Sequence, residues 1–491
     1  MSEGKTHFVG HGWIEGDGPH FESTDPATGQ TIWSGRTAGS AQIDKAISAG
    51  RAAIENWAST PLALRIAAVE RFAEQLKSHR DRLATAICRE TGKPHWEALA
   101  EVDAMVGKVP LSIRAYNERR APTSSESGGV LSATRYKPFG LLAVFGPFNM
   151  PGHLPNGHIV PALIAGNCVV YKPSELTPLV GQLTMELWES AGLLAGVITL
   201  LQGGRDTGAA LVKHAGIDGV LFTGSVAGGL AISRALVEQP GKIVALEMGG
   251  NNPLIVWNAA DLNAAANLTI HSAYITAGQR CSCARRLIIP RDRVGQEFVD
   301  RLLAMMKSIV VGPYTHRPEP FMGPVISDSA ADSLLCSQED LIRRGGQSLA
   351  PMRVIGPRTA MLTPGLIDVT NVSDRADAEL FGPILQVIRV ATFDDAISEA
   401  NRTKFGLVSG LLSDDPNLWT NFYKQTRAAV VYWNRQTTGG SSALPFGGTG
   451  LSGNHRPSGY LAADYCAYPV ASMESAELKS AKATPGLGQI L

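Results

Sequence analysis

Apolar residues at Ile43, Ala46, Ile47, Ala53, Ile54 and Trp57 recur at helical spacing and predict a helix over residues 41–57 with one buried face. A second helix is expected to open with Thr60 as N-cap and Pro61 at its first position. It buries Leu62, Ile66, Val69, Phe72 and Leu76 and continues through Leu83 and Ile87 until Gly92 and Pro94 stop it. From residue 141 the texture changes. Leu141–Phe145, Cys168–Tyr171, Val197–Leu201, Gly219–Phe222, Ile243–Leu246 and Pro253–Val256 are short apolar runs separated by helical or loop segments. Such runs predict an α/β fold with a parallel sheet covered on both faces. A Ser/Gly-rich segment, Thr123 to Gly129, interrupts the first half, and the end beyond Met473 is polar and expected to be loosely ordered. No internal repeat is visible.

At 491 residues the chain exceeds the ~250 to 300 residues at which a single core stops growing, so two or three sub-structures are expected. Lysine plus arginine equals aspartate plus glutamate at 44 each, which gives no electrostatic reason to expect nucleic acid or an anionic membrane as partner. Cys88, Cys168, Cys281, Cys283, Cys336 and Cys466 are scattered. Only Cys281 and Cys283 lie close together, and the second ligand pair of a zinc site is missing, so no metal is expected. The start lacks the apolar core of a signal peptide, and every apolar stretch is broken well short of the ~18 residues of a membrane span. The expectation is a soluble protein of the reducing cytoplasm.

Two side chains suggest chemistry. Cys281 stands in Gly-Gln-Arg-Cys-Ser-Cys, and Glu247 follows an apolar run in Leu-Glu-Met-Gly-Gly-Asn-Asn-Pro: a nucleophile and a base. Taken singly, the cysteine reads better as a buried apolar thiol than as a nucleophile. A strand running into Gly224, Ser225 and Gly229 ahead of a helical stretch is a phosphate-cradle layout, although a plain tight turn fits those residues as well. Lys172 and Glu175 follow another strand, at the sheet edge where ligands of such folds bind.

In series, these segments resemble the motifs of the aldehyde dehydrogenase superfamily. The matching stretches are Gly146-Pro147-Phe148-Asn149-Met150-Pro151, Lys172-Pro173-Ser174-Glu175, Phe222-Thr223-Gly224-Ser225, Leu246-Glu247-Met248-Gly249-Gly250, Ile275 to Cys281, Glu379-Leu380-Phe381-Gly382-Pro383 and Pro445-Phe446-Gly447-Gly448. They run in order through residues from about 20 to 470. The resemblance implies a Rossmann-like NAD domain (1–117 and 139–250), a catalytic α/β domain (251–440), and an oligomerisation arm with substrate loop and tail (118–138 and 441–491) that pairs subunits into a homodimer or homotetramer. Strands of the arm are expected near 118–138 and 462–475.

The resemblance also implies roles. Cys281 adds to an aldehyde, Asn149 and the Cys281 N–H hold the oxyanion, and Glu247 activates the water that hydrolyses the thioester. Lys172 and Glu175 hold the adenosine ribose, Gly224, Ser225 and Gly229 the pyrophosphate, and Glu379 and Phe381 the nicotinamide end. The Glu175 carboxylate would repel a 2′-phosphate, which favours NAD over NADP. The loops Asn434–Gly439 and Ser452–Tyr460, and the run to Val470, resemble the branch that oxidises N-succinylglutamate 5-semialdehyde in arginine catabolism. Such a substrate carries carboxylates, and Arg280, His153, His158, Arg435 and His455 are expected to form a cationic mouth for them, with Gly157 making room. The rivals are another carboxylated semialdehyde, such as succinate semialdehyde, a reductase of an activated acid, or a non-catalytic protein on the same fold.

Overall fold

Two seven-stranded sheets and a three-stranded arm carry the chain in a computed structural model that describes residues 4–356, 360–478 and 485–486. The first three residues, residues 357–359 and the remainder of the polar tail lie outside the described residues. The first sheet runs Ile243–Glu247, Gly219–Thr223, Leu141–Phe145, Cys168–Lys172, Ile198–Leu200, His7–Val9, Gly12–Ile14. Its first five strands are parallel and the last two antiparallel. Leu141–Phe145 and Cys168–Lys172 are buried at every position, as helices on both faces require. The second sheet runs Gln347–Ala350, Gly365–Asp368, Ile384–Val390, Ala284–Pro290, Asn252–Val256, Val408–Leu412, Val430–Trp433, parallel except for its first strand. Each sheet has its own apolar core. No helix among the described residues is long and apolar enough to cross a membrane.

Residues 248–251 pass directly from the carboxyl end of Ile243–Glu247 to the amino end of Asn252–Val256. The carboxyl edge of the first sheet therefore meets the amino edge of the second. Gly249 gives Glu379 its place in this link, because a Cβ there would sit 1.8 Å from Glu379 Oε2 and displace the carboxylate.

Several local expectations are corrected. The first helix is Ser40–Ser59, and Thr60 closes it instead of opening the next: the Thr60 N–H donates to Asn56 O and Trp57 O, and its hydroxyl donates to Asn56 O at 2.8 Å. Pro61 is then the N-cap of Leu62–Ser78. The expected single helix through Ile87 breaks at His79 (φ −113°) and resumes as Arg80–Thr91. The Ser/Gly-rich segment is no interruption: Thr123–Ser127 is an exposed edge strand, and Gly128 and Gly129, both at positive φ, turn it into Val130–Pro138. The arm is narrower than expected. Its third strand is Ala467–Glu474, whereas 118–119 end a helix and 460–465 form a 3₁₀ turn.

One buried carboxylate shows how the elements lock. Helix Pro178–Ser190 lacks a side-chain cap of its own. Glu90, from helix Arg80–Thr91, accepts from the N–H groups of Leu179 (2.8 Å) and Val180 (2.9 Å) and from Ser23 Oγ (2.6 Å). Glu90→Leu should strand three buried donors and cost ~1 to 3 kcal/mol, read as a lowered urea midpoint; an unchanged midpoint would show that water replaces the cap.

Candidate active site

The carboxyl edge of the first sheet supplies Glu247, the last residue of its strand, Asn149 in the loop after Phe145, Lys172 at a strand end, and Ser225 just past Thr223. The amino edge of the second supplies Cys281 ahead of Ala284–Pro290, and Glu379 and Phe381 ahead of Ile384–Val390. Phe148 meets Phe381 edge-on with ring centroids 5.9 Å apart, so the Asn149 loop and the Glu379 loop touch across the junction.

Cys281 is held by its backbone. Its carbonyl accepts from Asn252 Nδ2 at 2.6 Å, and Arg285 donates to Gly278 O (2.6 Å) and Arg280 O (2.9 Å) on the approach. That approach contains Thr276 and Ala277 at φ 56° and 50°, left-handed positions that cost ~1 to 2 kcal/mol each and persist only where contacts hold them. Desolvation by burial, reinforced by the Glu379 and Glu247 carboxylates, pushes the Cys281 thiol up to about 12. Cys283 is wholly buried, with Sγ 3.9 Å from Ile275 O.

Glu247 is 5% exposed, and burial pushes it up to about 8, opposed by the Ser458 N–H that donates to its Oε1 at 3.0 Å. Asn149 is 6% exposed. Its backbone carbonyl accepts from Lys93 Nζ at 2.7 Å, while its side-chain amide has no partner among the described residues. The backbone N–H of Cys281 is equally free. A thiol, two unpaired donors and a carboxyl group thus line one junction, which is the equipment of acyl chemistry through a tetrahedral oxyanion.

The residues expected to hold a cofactor lie along both edges of the junction. Ser225 caps helix Val226–Leu236 by accepting from Gly228 N. Gly229 has no room for a side chain, since a Cβ would meet Met248 Sδ at 2.2 Å. Lys172 Nζ donates to Gly203 O (2.6 Å) and Pro173 O (2.9 Å), lies 3.9 Å from the half-exposed Glu175, and is pulled down to about 8 by burial. Glu379 Oε1 is buried without a hydrogen bond, 3.6 Å from Arg285, whose guanidinium stands over the Phe381 ring. A buried acceptor with nothing to accept from suits a ligand hydroxyl.

The expected cationic mouth is corrected. Arg280 and His153 do line a common cavity of about 320 Å³, with Ala100, Ala104, Gly107 and Met150. Arg280, however, is paired with Glu97 at 2.7 Å; burial opposes its charge, and the Glu97 carboxylate outweighs that. Burial pulls His153 down to about 4 and His158 to about 3, so both are neutral near pH 7. His158 is also spoken for, with Nδ1 2.8 Å from Tyr465 OH and Nε2 3.0 Å from Thr223 Oγ1. Arg435 and His455 sit exposed and make no side-chain hydrogen bond or ion pair among the described residues. Gly157 does leave open space: a Cβ there would meet nothing nearer than Lys108 Cε at 4.0 Å.

The pattern that defines the aldehyde dehydrogenase family matches residues 13–469. The chain belongs to that family. A relative from Ectopseudomonas mendocina (strain ymp), an N-succinylglutamate 5-semialdehyde dehydrogenase, is 52% identical over 483 residues, covering 98% of this chain and 99% of that protein. One of the same name from Chromobacterium violaceum is 52% identical over 481 residues, with 98% and 99% coverage. Among solved members of the family, 1-pyrroline-5-carboxylate dehydrogenase from Thermus with bound NAD superposes with a TM-score of 0.91 at 28% identity, over 97% of this chain and 93% of that one. NADP-dependent glyceraldehyde-3-phosphate dehydrogenase from Bacillus halodurans C-125, complexed with NADP, does so at 0.90 and 26%, over 96% and 100%. The chain is accordingly an oxidoreductase acting on aldehydes.

Sequence reading missed Lys93, Glu97, Glu101, Asn252 and Ser458. A signal existed for the two glutamates: they stand one helical turn apart beside Ala98, Val102 and Met105, on what is otherwise an apolar face.

With its thiol near 12, Cys281 in the coenzyme-free protein should be alkylated slowly by iodoacetamide at pH 7. The rate at this peptide, followed by mass spectrometry, should rise ~10-fold per pH unit from 7 to 9; a plateau inside that range would place the thiol lower than the burial argument does.

Proposed function

We propose that the protein oxidises N-succinyl-L-glutamate 5-semialdehyde to N-succinyl-L-glutamate with NAD, as a step of arginine catabolism. The observation that carries the substrate is the 52% identity, over 98% of this chain, to proteins named for that reaction. The cavity beside Met150 and Arg280, the chain neighbours of Asn149 and Cys281, supports it by offering room for a long acyl arm along Ala100, Ala104 and Gly107.

In this reading Cys281 Sγ attacks the aldehyde carbon, its proton leaving through water to solvent, and the carbonyl π pair moves onto oxygen. The Asn149 amide and the Cys281 N–H, both unpartnered, receive that oxyanion. NAD, when bound, would supply the hydride acceptor, so that the chain's own part is to hold the oxyanion on Asn149 and the Cys281 N–H and to carry the resulting thioester on Cys281. Glu247 then takes a proton from the water that adds to the thioester, and Cys281 leaves as thiolate when the acid is released. Lys172 and Glu175 would hold the adenosine ribose, Gly224, Ser225 and Gly229 the pyrophosphate, and Glu379 and Phe381 the nicotinamide end. The half-exposed Glu175 carboxylate supports NAD over NADP.

We assign cofactor binding to residues 1–117 and 139–250, the nucleophile's domain to 251–440, and subunit pairing to the arm. The exposed edge strand Thr123–Ser127 supports a homodimer or homotetramer. Six free cysteines, one of them the nucleophile, suit the reducing cytoplasm.

Glu247→Gln should retain a pre-steady-state burst of NADH close to one per site, followed by turnover slowed ~10²- to 10⁴-fold, because only the water step loses its base. Absence of the burst would move its role to the thiol. Wild type should prefer the succinylated semialdehyde over succinate semialdehyde in kcat/KM, and Ala104→Phe, which fills the cavity, should lower that value ~10- to 100-fold while changing propanal oxidation less than about threefold. An equal loss on both aldehydes would put the acyl arm elsewhere.

A further inference from the structure

Helix His95–Arg119 touches both halves of the proposed chemistry through two glutamates on one face. The side chains of Glu97 and Glu101 are each 1% exposed. Glu101 forms a buried ion pair with Lys93 (Oε2 to Nζ, 2.6 Å), and its Oε1 accepts from the N–H groups of Gly152 (2.9 Å) and His153 (3.2 Å). Lys93 Nζ also donates to the carbonyl of Asn149 at 2.7 Å. The chain from 149 to 153 is therefore gripped at both ends by one charge pair. Glu97 faces the other domain. Its Oε1 accepts from Arg280 Nη2 at 2.7 Å and from the hydroxyl of Thr276, which also accepts from Arg280 Nε at 2.7 Å. Thr276 is one of the two left-handed residues on the approach to Cys281.

We propose that Glu97 and Glu101 are positioning residues. One turn of this helix sets the separation of the Asn149 amide from the Cys281 thiol, Glu101 registering the oxyanion donor and Glu97 the nucleophile loop. Three facts exclude a purely packing role. The carboxylates bind backbone and side-chain groups within the two catalytic loops, on chain segments distant from each other in sequence. Each is buried with a cation, so neither is a solvated helix charge. A left-handed threonine needs something to hold it, and Glu97 provides the contact. The proposal rests on the reading of Cys281 as nucleophile and Asn149 as oxyanion donor.

The test is a double-mutant cycle read on the rate of the NADH burst with propanal, a substrate with no carboxylate, so that recognition of a charged arm does not enter. Glu101→Gln should slow the burst ~10- to 100-fold, as misplacement by about an ångström does. In an Asn149→Ala background the same substitution should change it less than about twofold, because the group it places is gone. The double substitution Lys93→Met/Glu101→Gln leaves no unpaired buried charge and should reproduce the result if the single variant folds poorly. Glu97→Gln should alter the iodoacetamide rate of Cys281 at least threefold at fixed pH, while Glu101→Gln leaves it within about twofold. A tenfold further loss on adding Glu101→Gln to Asn149→Ala, or equal alkylation rates in both single variants, overturns the proposal. If Asn149→Ala alone leaves the burst within about twofold of wild type, the oxyanion reading fails first, and the placing role of Glu101 falls with it.

Discussion

Everything at the active site depends on residues 248–251 being so short a bridge. A parallel sheet directs all its strand ends one way, and the loops at its carboxyl edge are free to carry ligands. Here the last strand of the first sheet hands the chain at once to the first strand of the second, so the two edges cannot separate. Glu247 ends one strand, Asn252 begins the next, and the side chain of Asn252 holds the carbonyl of Cys281. Glu247 and Cys281, the proposed base and nucleophile, are thus fixed relative to each other mostly through backbone. The bare Cα of Gly249 permits the approach, with Glu379 occupying the space a side chain would need.

Closeness brings desolvation, and desolvation sets the order of the chemistry. A carboxyl group near 8 beside a thiol near 12 leaves the proton on sulfur. A free thiolate is therefore scarce, and in the proposed mechanism proton loss is best coupled to carbon–sulfur bond formation, when the new oxyanion would meet the two unpartnered donors. Later the same carboxyl group, ionised in part near neutral pH, is well matched to accept a proton from water. The neutral His153 and His158 belong to the same dry environment.

The fold was legible where one physical rule dominated. Runs such as Leu141–Phe145 and Cys168–Tyr171 are apolar because both faces of their sheet are covered, and each is a strand. The hairpin His7–Ile14 escaped notice because short edge strands carry mixed residues. Thr60 and Pro61 were misassigned by one position, since the threonine that could open a helix also closes the preceding one. Cys281, Glu247 and Asn149 stood out through motifs, and the structure gathers them at one junction. The pairing of Arg280 with Glu97 and the neutral state of His153 and His158 did not stand out, because they are decided by partners and burial that arrive only with tertiary structure. Glu97 and Glu101 were overlooked for the same reason: a glutamate on a helix ordinarily reads as solvated.

The long helix that carries those two glutamates also lines the acyl cavity further along, at Ala104 and Gly107. In the roles proposed above, Glu97 and Glu101 set the geometry at the reacting carbon, and the small Ala100, Ala104 and Gly107 beside them on the same cavity wall leave room for the aldehyde's arm. That division of labour makes the element evolvable. Selection can exchange the small side chains and lengthen or shorten the accepted arm, while the carboxylates keep the reaction itself unchanged.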